Sequence, residues 1–407
     1  MNSVDFVFCR GYHGAMKKIY RILAILSVLL GLCACGKNGA AQGRPTYPPV
    51  QAVIVTLEPM PATPDPTAVA SFRPPAETPV ISDVIPVSPS PFPEDTPSPS
   101  PSPLTYAAPE GVDTVAWISD TQHYANIDEN GIADIYPTIT AFLWSHRQEL
   151  GLKYVVHTGD LVHRNGREDN WQRAKAAMDL LEDIPVGVLA GNHDMAEDTG
   201  GYTLYRKYFG EKFYKDRAYY GESFEDNRGH YDLITLGGRD YIFVYMSFAP
   251  DEKALRFIRD SLDRYPDRVG ILCLHDFLTT EGTRSQMGET IEAQIVARCP
   301  NLYMVLCGHR YGLYCLTSRY DDDGDGTPER TVYEMMQNYQ AAGKEGGGGY
   351  FRLMQFDEAA GCIRTITYSA YLNDFNWLDD PAHREKRYEM DENSETFTLP
   401  MPWKQGG

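Results

Sequence analysis

Basic residues are scarce in this chain: 37 Lys and Arg stand against 56 Asp and Glu over 407 residues, a formal net charge of −19. A surface of that sign repels polyanions, since nucleic acid gains nothing from counterion release where basic patches are missing, so no nucleic-acid-binding surface is expected. Cysteine is sparse and irregular. Of eight, Cys9, Cys33 and Cys35 fall near the N-terminus, and the other five (Cys273, Cys299, Cys307, Cys315 and Cys362) are odd in number and unevenly spaced. That excludes a disulfide framework, and Cys273 and Cys307, inside apolar runs, read as small core residues. Long apolar runs are missing too. Ile22 to Leu32 covers only eleven residues, too short to cross a bilayer comfortably.

Lys17, Lys18 and Arg21 precede that run, and Leu32-Cys33-Ala34-Cys35 closes it, so residues 1–35 read as an export signal. Its end resembles the bacterial lipobox, in which a small residue precedes a cysteine that is lipidated and becomes the new N-terminus. Cys35 is the favoured anchor, because Cys33 would put the bulky Leu32 at the cleavage position. Plain secretory cleavage or an uncleaved anchor are the alternatives. Every version places the rest outside the cytoplasm, the favoured one as a membrane-anchored lipoprotein. Loss of residues 1–34 leaves 33 Lys and Arg against 55 Asp and Glu, near −22.

Residues 36–110 hold 19 of the 28 prolines and end in the Ser-Pro alternation Ser98 to Pro103. Proline removes the backbone donor and fixes φ, so this segment reads as an extended, disordered spacer. From Val112 short apolar runs alternate with amphipathic stretches. Strands are expected at 113–118, 153–157, 185–190, 230–236, 241–247, 268–274, 301–306, 312–318, 331–337, 350–356 and 362–369, and helices at 136–150, 170–182, 202–209, 251–264 and 284–298. Phe397, Leu399 and Met401 alternate as in a closing strand. The expectation is one α/β domain over 111–403, a sandwich of two mixed sheets with flanking helices, followed by a 404–407 tail.

Five of the strand-like runs end in a polar cluster: Val115 to Ile118 in Asp120, Tyr154 to Val156 in Gly159-Asp160, Val186 to Leu189 in Gly191-Asn192-His193-Asp194, Ile271 to Leu274 in His275, and Tyr303 to Leu306 in Gly308-His309. Ligand sites in α/β sheets gather at the carboxyl ends of strands, so the five clusters converge on one crevice. The residue types suit two metals. A carboxylate such as Asp160 bridges two cations, Asn192 offers a neutral carbonyl oxygen, and His275 and His309 offer imidazole nitrogen. Two metals about 3.5 to 4 Å apart polarise a phosphoryl group and turn a shared water into hydroxide near neutral pH.

The order Asp-x-(His or Gln), Gly-Asp, Gly-Asn-His-Asp, lone His, Gly-His resembles the calcineurin-like metallophosphoesterase superfamily over Asp120 to His309. The resemblance implies a four-layer α/β/β/α sandwich and a hydrolase of phosphate mono- or diesters with two divalent ions, of Mn, Fe, Zn or Ca. By the same resemblance Asp120 and Asp160 bind one metal, and Asp160, Asn192, His275 and His309 the other. His193 contacts the substrate phosphate or protonates the leaving oxygen, with Asp194 orienting it. Two positions depart from the pattern. Gln122 stands where most of the superfamily has a metal-binding histidine, and Tyr311 where the last motif has its second histidine. Gln122 supplies an amide oxygen instead, with His123 and His163 as neighbours of the ligands, which implies a Gln-containing subgroup with a more oxygen-rich first site.

Weaker signals stay outside that assignment. Asp321-x-Asp323-x-Asp325-Gly326 copies the start of a calcium loop, but Val332 replaces the bidentate glutamate, so a polar hairpin tip is the better reading. Gly346 to Gly349 lacks the strand-to-helix setting of a phosphate loop, and Arg310 follows a ligand as either a phosphate contact or a solvated charge. The competing functions are a catalytically weakened metal-binding module and a calcium-dependent surface or adhesion module. The identity of the substrate and the oligomeric state are not legible.

Overall fold

The computed structural model describes residues 105–126, 134–196, 201–340, 347–378 and 395–404. The expected signal, Cys35 and nearly all of the proline-rich segment lie outside the described residues, as do 405–407.

The alternating texture of the sequence becomes strands β1 (Asp113–Ile118), β2 (Leu152–His157), β3 (Val186–Val188), β4 (Tyr220–Phe224), β5 (Gly229–Leu236), β6 (Arg239–Met246), β7 (Val269–Leu274), β8 (Leu302–Cys307), β9 (Gly312–Tyr320), β10 (Arg330–Asn338), β11 (Tyr350–Asp357), β12 (Cys362–Ser369) and β13 (Phe397–Pro400). The helices are α1 (Ile135–Ser145), α2 (Glu168–Asp179), α3 (Thr203–Phe209), α4 (Glu252–Arg264) and α5 (Gln286–Ile291). One sheet runs β13-β12-β11-β1-β2-β3 and the other β4-β5-β6-β7-β8-β10-β9. Within them β1, β2 and β3 are parallel, as are β6, β7, β8 and β10, while the remaining pairs are antiparallel. Both sheets are therefore mixed, and with their helices they form a metallophosphoesterase-like α/β/β/α sandwich.

Side-chain alternation along each strand builds the layers. In β1, Val115 and Trp117 face the other sheet and pack with Tyr154, Phe243, Ile271 and Met304, while Ala116 and Ile118 face the helices and join Ile139, Leu143 and Trp171. The outer face of the second sheet does the same with Ile258, Leu262 and Ile291 from α4 and α5. A strand covered on both faces needs no polar side, which is why β7 reads Val-Gly-Ile-Leu-Cys-Leu and is buried throughout. Cys273 and Cys307 are buried core residues, and the five cysteines are unbridged.

Three elements depart from the pattern-based expectation. The helix expected over 284–298 starts at Gln286, where the Ser285 side chain accepts from the Gly288 N–H, and passes at Glu292–Val296 into a π-helical turn. Helix α1 stops at Ser145, and residues 146–150 form turns. Strand β4 has no apolar alternation to announce it. It is an edge strand placed by pairing with β5 and by Tyr220, whose hydroxyl donates to Asn227 Oδ1 at 2.8 Å. The Asp321 loop is the tip between β9 and β10.

Candidate metal centre

The carboxyl ends of β1, β2 and β3 from one sheet and of β7 and β8 from the other meet along one edge of the sandwich, and each delivers its polar cluster there. Hydrogen bonds tie them together. The Asp120 N–H donates to the Gly159 carbonyl at 3.0 Å, His309 N–H to both Asp120 carboxylate oxygens at 3.1 Å, and His193 N–H to Asp160 Oδ1 at 2.9 Å. The Gly308 N–H donates to the His275 carbonyl at 3.0 Å. Turning side chains into so small a space distorts the backbone. Asp120, Asp160 and His309 hold φ of 55°, 56° and 69°, a region that costs a non-glycine residue energy and persists only where surroundings enforce it. Gly191 and Gly308 answer a different need: a Cβ on the first would collide with the Asp160 carboxylate, and on the second with the Asp120 carboxylate and the Ser119 hydroxyl.

Asp160, His275 and His309 bring one ligand atom each to within 4.8 Å of one another. Asp160 Oδ1 lies 3.3 Å and Asn192 Oδ1 3.1 Å from His275 Nε2, and Gln122 Nε2 donates to Asp160 Oδ2 at 3.0 Å. All six metal-ligand candidates, Asp120, Gln122, Asp160, Asn192, His275 and His309, thus come together. The tautomer of His275 is set from behind, since only an Nδ1–H can bond the Thr158 carbonyl at 2.8 Å, which turns Nε2 toward the cluster. Gln122 Oε1 is buried and has no hydrogen-bond partner, an uncompensated acceptor beside Asp160. Two acceptors facing one imidazole nitrogen, and a buried amide oxygen without a partner among the described residues next to Asp160, fit a cation.

The electrostatics agree. Burial alone would lower the pKa of His275, but the Asp160 and Asp120 carboxylates and the Thr158 carbonyl outweigh it and hold it at about 10. Burial, helped by Asp160, lifts Asp120 to about 7 against the pull of His275. Burial works against the Asp160 carboxylate as well, yet His275 and the His193 N–H keep it below the usual range. Burial, His275 and Arg310 drive His309 down to about 3, so its ring is neutral.

His193 and Asp194 are placed differently from each other. The His193 ring bonds the His163 carbonyl through Nδ1 at 3.0 Å and stacks on the His163 ring, centroids 5.3 Å apart. The motif suggests Asp194 as the group orienting His193. The Asp194 carboxylate accepts from the N–H groups of Leu161, Val162 and Gly191 at 3.0, 3.0 and 2.8 Å, clamping the Asp160 loop to the Gly191 loop. His123 sits against His163, 4.9 Å between centroids. Tyr311 is exposed and so is Arg310. A cavity of about 350 Å³ opens beside Asn192 and His193. Sequence reasoning missed Ser119, whose hydroxyl donates to Asp120 Oδ2 at 2.6 Å, and the carbonyls of Thr158 and His163. No residue type signals a backbone acceptor; only the serine beside Asp120 was findable.

With this geometry the chain is a member of the calcineurin-like metallophosphoesterase-fold superfamily with a candidate dinuclear metal site. The calcineurin-like phosphoesterase family profile matches residues 114–311. Among curated proteins the chain is 41% identical over 275 residues to the uncharacterized protein YvnB of Bacillus subtilis, covering 67% of this chain but only 21% of that much longer protein. Solved structures of similar fold include purple acid phosphatase PPD1 of yellow lupin (14% identity, 74% of this chain and 55% of that one, TM-score 0.47). Another is the 5'-nucleotidase precursor of Thermus thermophilus (12% identity, 64% and 52%, TM-score 0.38).

The protons on His275 and Asp120 must leave before those groups ligate, so metal uptake depends on pH. Below pH 7 both hold protons; between about 7 and 10 His275 alone does. Titration of the metal-free protein with Mn²⁺ in buffers of different ionisation enthalpy is expected to release about two protons near pH 6 and about one near pH 8, with affinity rising between them. Uptake without proton release at either pH would contradict the assignment.

Proposed function

We propose that this chain hydrolyses phosphate mono- or diesters outside the cytoplasm with two divalent ions, Asp120, Gln122 and Asp160 holding one and Asp160, Asn192, His275 and His309 the other. The observation that carries the reading is the convergence of Asp160 with His275, His309 and Asn192 beside a cavity lined by His193. When bound, the ions would supply Lewis-acid polarisation of the phosphoryl oxygens and a water of lowered pKa as nucleophile. The chain does the rest. Asp160, kept ionised, is available to both ions, and the Thr158 carbonyl presents His275 through Nε2. His193, its Nδ1 engaged by the His163 carbonyl, keeps Nε2 for a substrate oxygen or for the proton that the departing alkoxide needs.

The same cradle with Gln122 in place of histidine also suits a module that binds metal and has lost turnover, and the Asp321, Asp323, Asp325 and Glu329 carboxylates, whose oxygens lie within 4.8 Å of one another, keep a calcium-dependent surface module in view. Metal-dependent release of phosphate from generic mono- and diesters separates these from an enzyme. Asp160→Ala and Asn192→Ala are each expected to lose metal and to slow hydrolysis at least about a hundredfold. Full metal occupancy in the Asp160 variant would sink the site assignment.

His193→Ala should keep the metal and lose rate, since general acid help is worth roughly a hundred- to ten-thousand-fold. The loss is expected to be large for alkyl phosphates and small for nitrophenyl esters, whose leaving oxygen needs little protonation. Equal slowing of both would replace the acid by a positioning role.

The setting follows from the N-terminus. With Cys35 lipidated and residues 36–110 as spacer, the domain stands off the outer face of a membrane. Cys35→Ala should move the protein from the membrane fraction to the soluble one, whereas Cys33→Ala should not; a Cys35 variant that stays lipid-labelled rules the anchor out.

A further inference from the structure

The cavity beside His193 is also lined by His163, Arg164, Asn165 and Met195. Its volume of about 350 Å³ suits a small organic group, at the lower end of ligand sites of roughly 300 to 1,000 Å³. Arg164 is exposed there and makes no ion pair or side-chain hydrogen bond with any described residue. Arg167, Arg206, Arg228, Arg264, Arg284 and Arg330 pair with carboxylates, whereas the Arg164 guanidinium beside the His193 cavity has no carboxylate partner among the described residues.

The loop that carries Arg164 is held in place. Asn165 Nδ2 donates to the Asp194 carbonyl at 2.5 Å, the Asn165 carbonyl accepts from Nε1 of the fully buried Trp171 at 2.8 Å, and the Arg164 carbonyl accepts from the Arg167 N–H at 3.0 Å. A guanidinium on a loop anchored to the His193 motif meets a ligand with part of the positioning entropy already removed.

We propose that Arg164 is a specificity-determining residue that selects phosphate esters whose departing alcohol carries a second anionic group, such as a phosphorylated hydroxy acid. The inference rests on the reading of the metal cradle as a phosphoryl site. With the phosphoryl group at Asn192 and His193, the alcohol portion occupies the cavity, and a carboxylate on it meets the Arg164 fork in a charge-assisted pair.

The test uses two non-hydrolysable probes that differ only at the tail, propylphosphonate and 3-phosphonopropionate, titrated into the full Mn²⁺-loaded chain. The carboxylate probe is expected to bind about three- to tenfold more tightly. Arg164→Ala should bring the affinity ratio to about one, Arg164→Glu should invert it, and Arg164→Lys should keep part of it. A ratio that Arg164→Ala leaves unmoved, including an equal loss for both probes, overturns the proposal, as does failure to bind either probe. Hydrolysis of esters is scored separately: selective binding without turnover sinks the hydrolase reading and leaves Arg164 standing, while turnover with an unmoved ratio does the reverse.

Discussion

The structure of the site depends on one buried carboxylate. Asp160 is only 2% exposed, and an ionised carboxylate taken out of water costs several kcal/mol unless its oxygens are met by donors or cations. His275, Gln122 and the His193 N–H meet them. Each of those groups comes from a different strand end, so compensating one charge obliges β1, β2, β3 and β7 to finish at the same point. The strain follows from the same demand. Left-handed φ at Asp120, Asp160 and His309 aims three side chains inward over a shorter path than extended backbone allows, and the clamp of Asp194 on three N–H groups helps hold that shape.

The sandwich supplies the rigidity this requires. Parallel strands covered on both faces are fixed by packing along their whole length, so the residue just past each carboxyl end is placed by the core and not by the loop that follows. Two sheets are needed because the two imidazoles come from β7 and β8 and the carboxylates from β1 and β2. Trp117 packs into the layer between the sheets, its Nε1 bonded to Thr158 Oγ1 at 3.0 Å, and Thr158 in turn bonds Ser119 Oγ at 2.6 Å and, by its carbonyl, His275. The core and the site are thereby continuous.

Much of this was legible in the sequence, for reasons that separate what was read from what was not. An apolar run followed by Gly-Asp or Gly-Asn-His-Asp carries both the strand and the turn at its end, so β1, β2, β7 and β8 and the polar clusters at their ends were readable, and glycine marked where a carboxylate comes too close for a Cβ. Strand β4 was not readable, since an edge strand with exposed Gly221 and Glu222 has no alternation, and neither was the π-helical turn after Ile291, whose spacing imitates an α-helix. The backbone clamp made by Asp194 was not readable for a related reason. Adjacency in a motif suggests contact, but His193 and Asp194 project to different sides of the turn, one to the cavity and the other into the loop backbone.

The Gln122 position shows how the remaining chemistry is weighted. Its amide donates to Asp160 and leaves Oε1 buried without a partner among the described residues, a cost of about 1–3 kcal/mol for an unmade hydrogen bond. An amide beside a cation gains by presenting its oxygen. A neutral amide is also a weaker donor than an imidazole. Charge compensation at the first proposed ion would then fall on Asp120 and Asp160. On the proposed reading, two divalent ions against two carboxylates would leave the cradle net positive inside a chain whose formal charge is −19, and that local reversal of sign would draw an anionic phosphoryl group to this edge of the sandwich and to no acidic stretch of the surface.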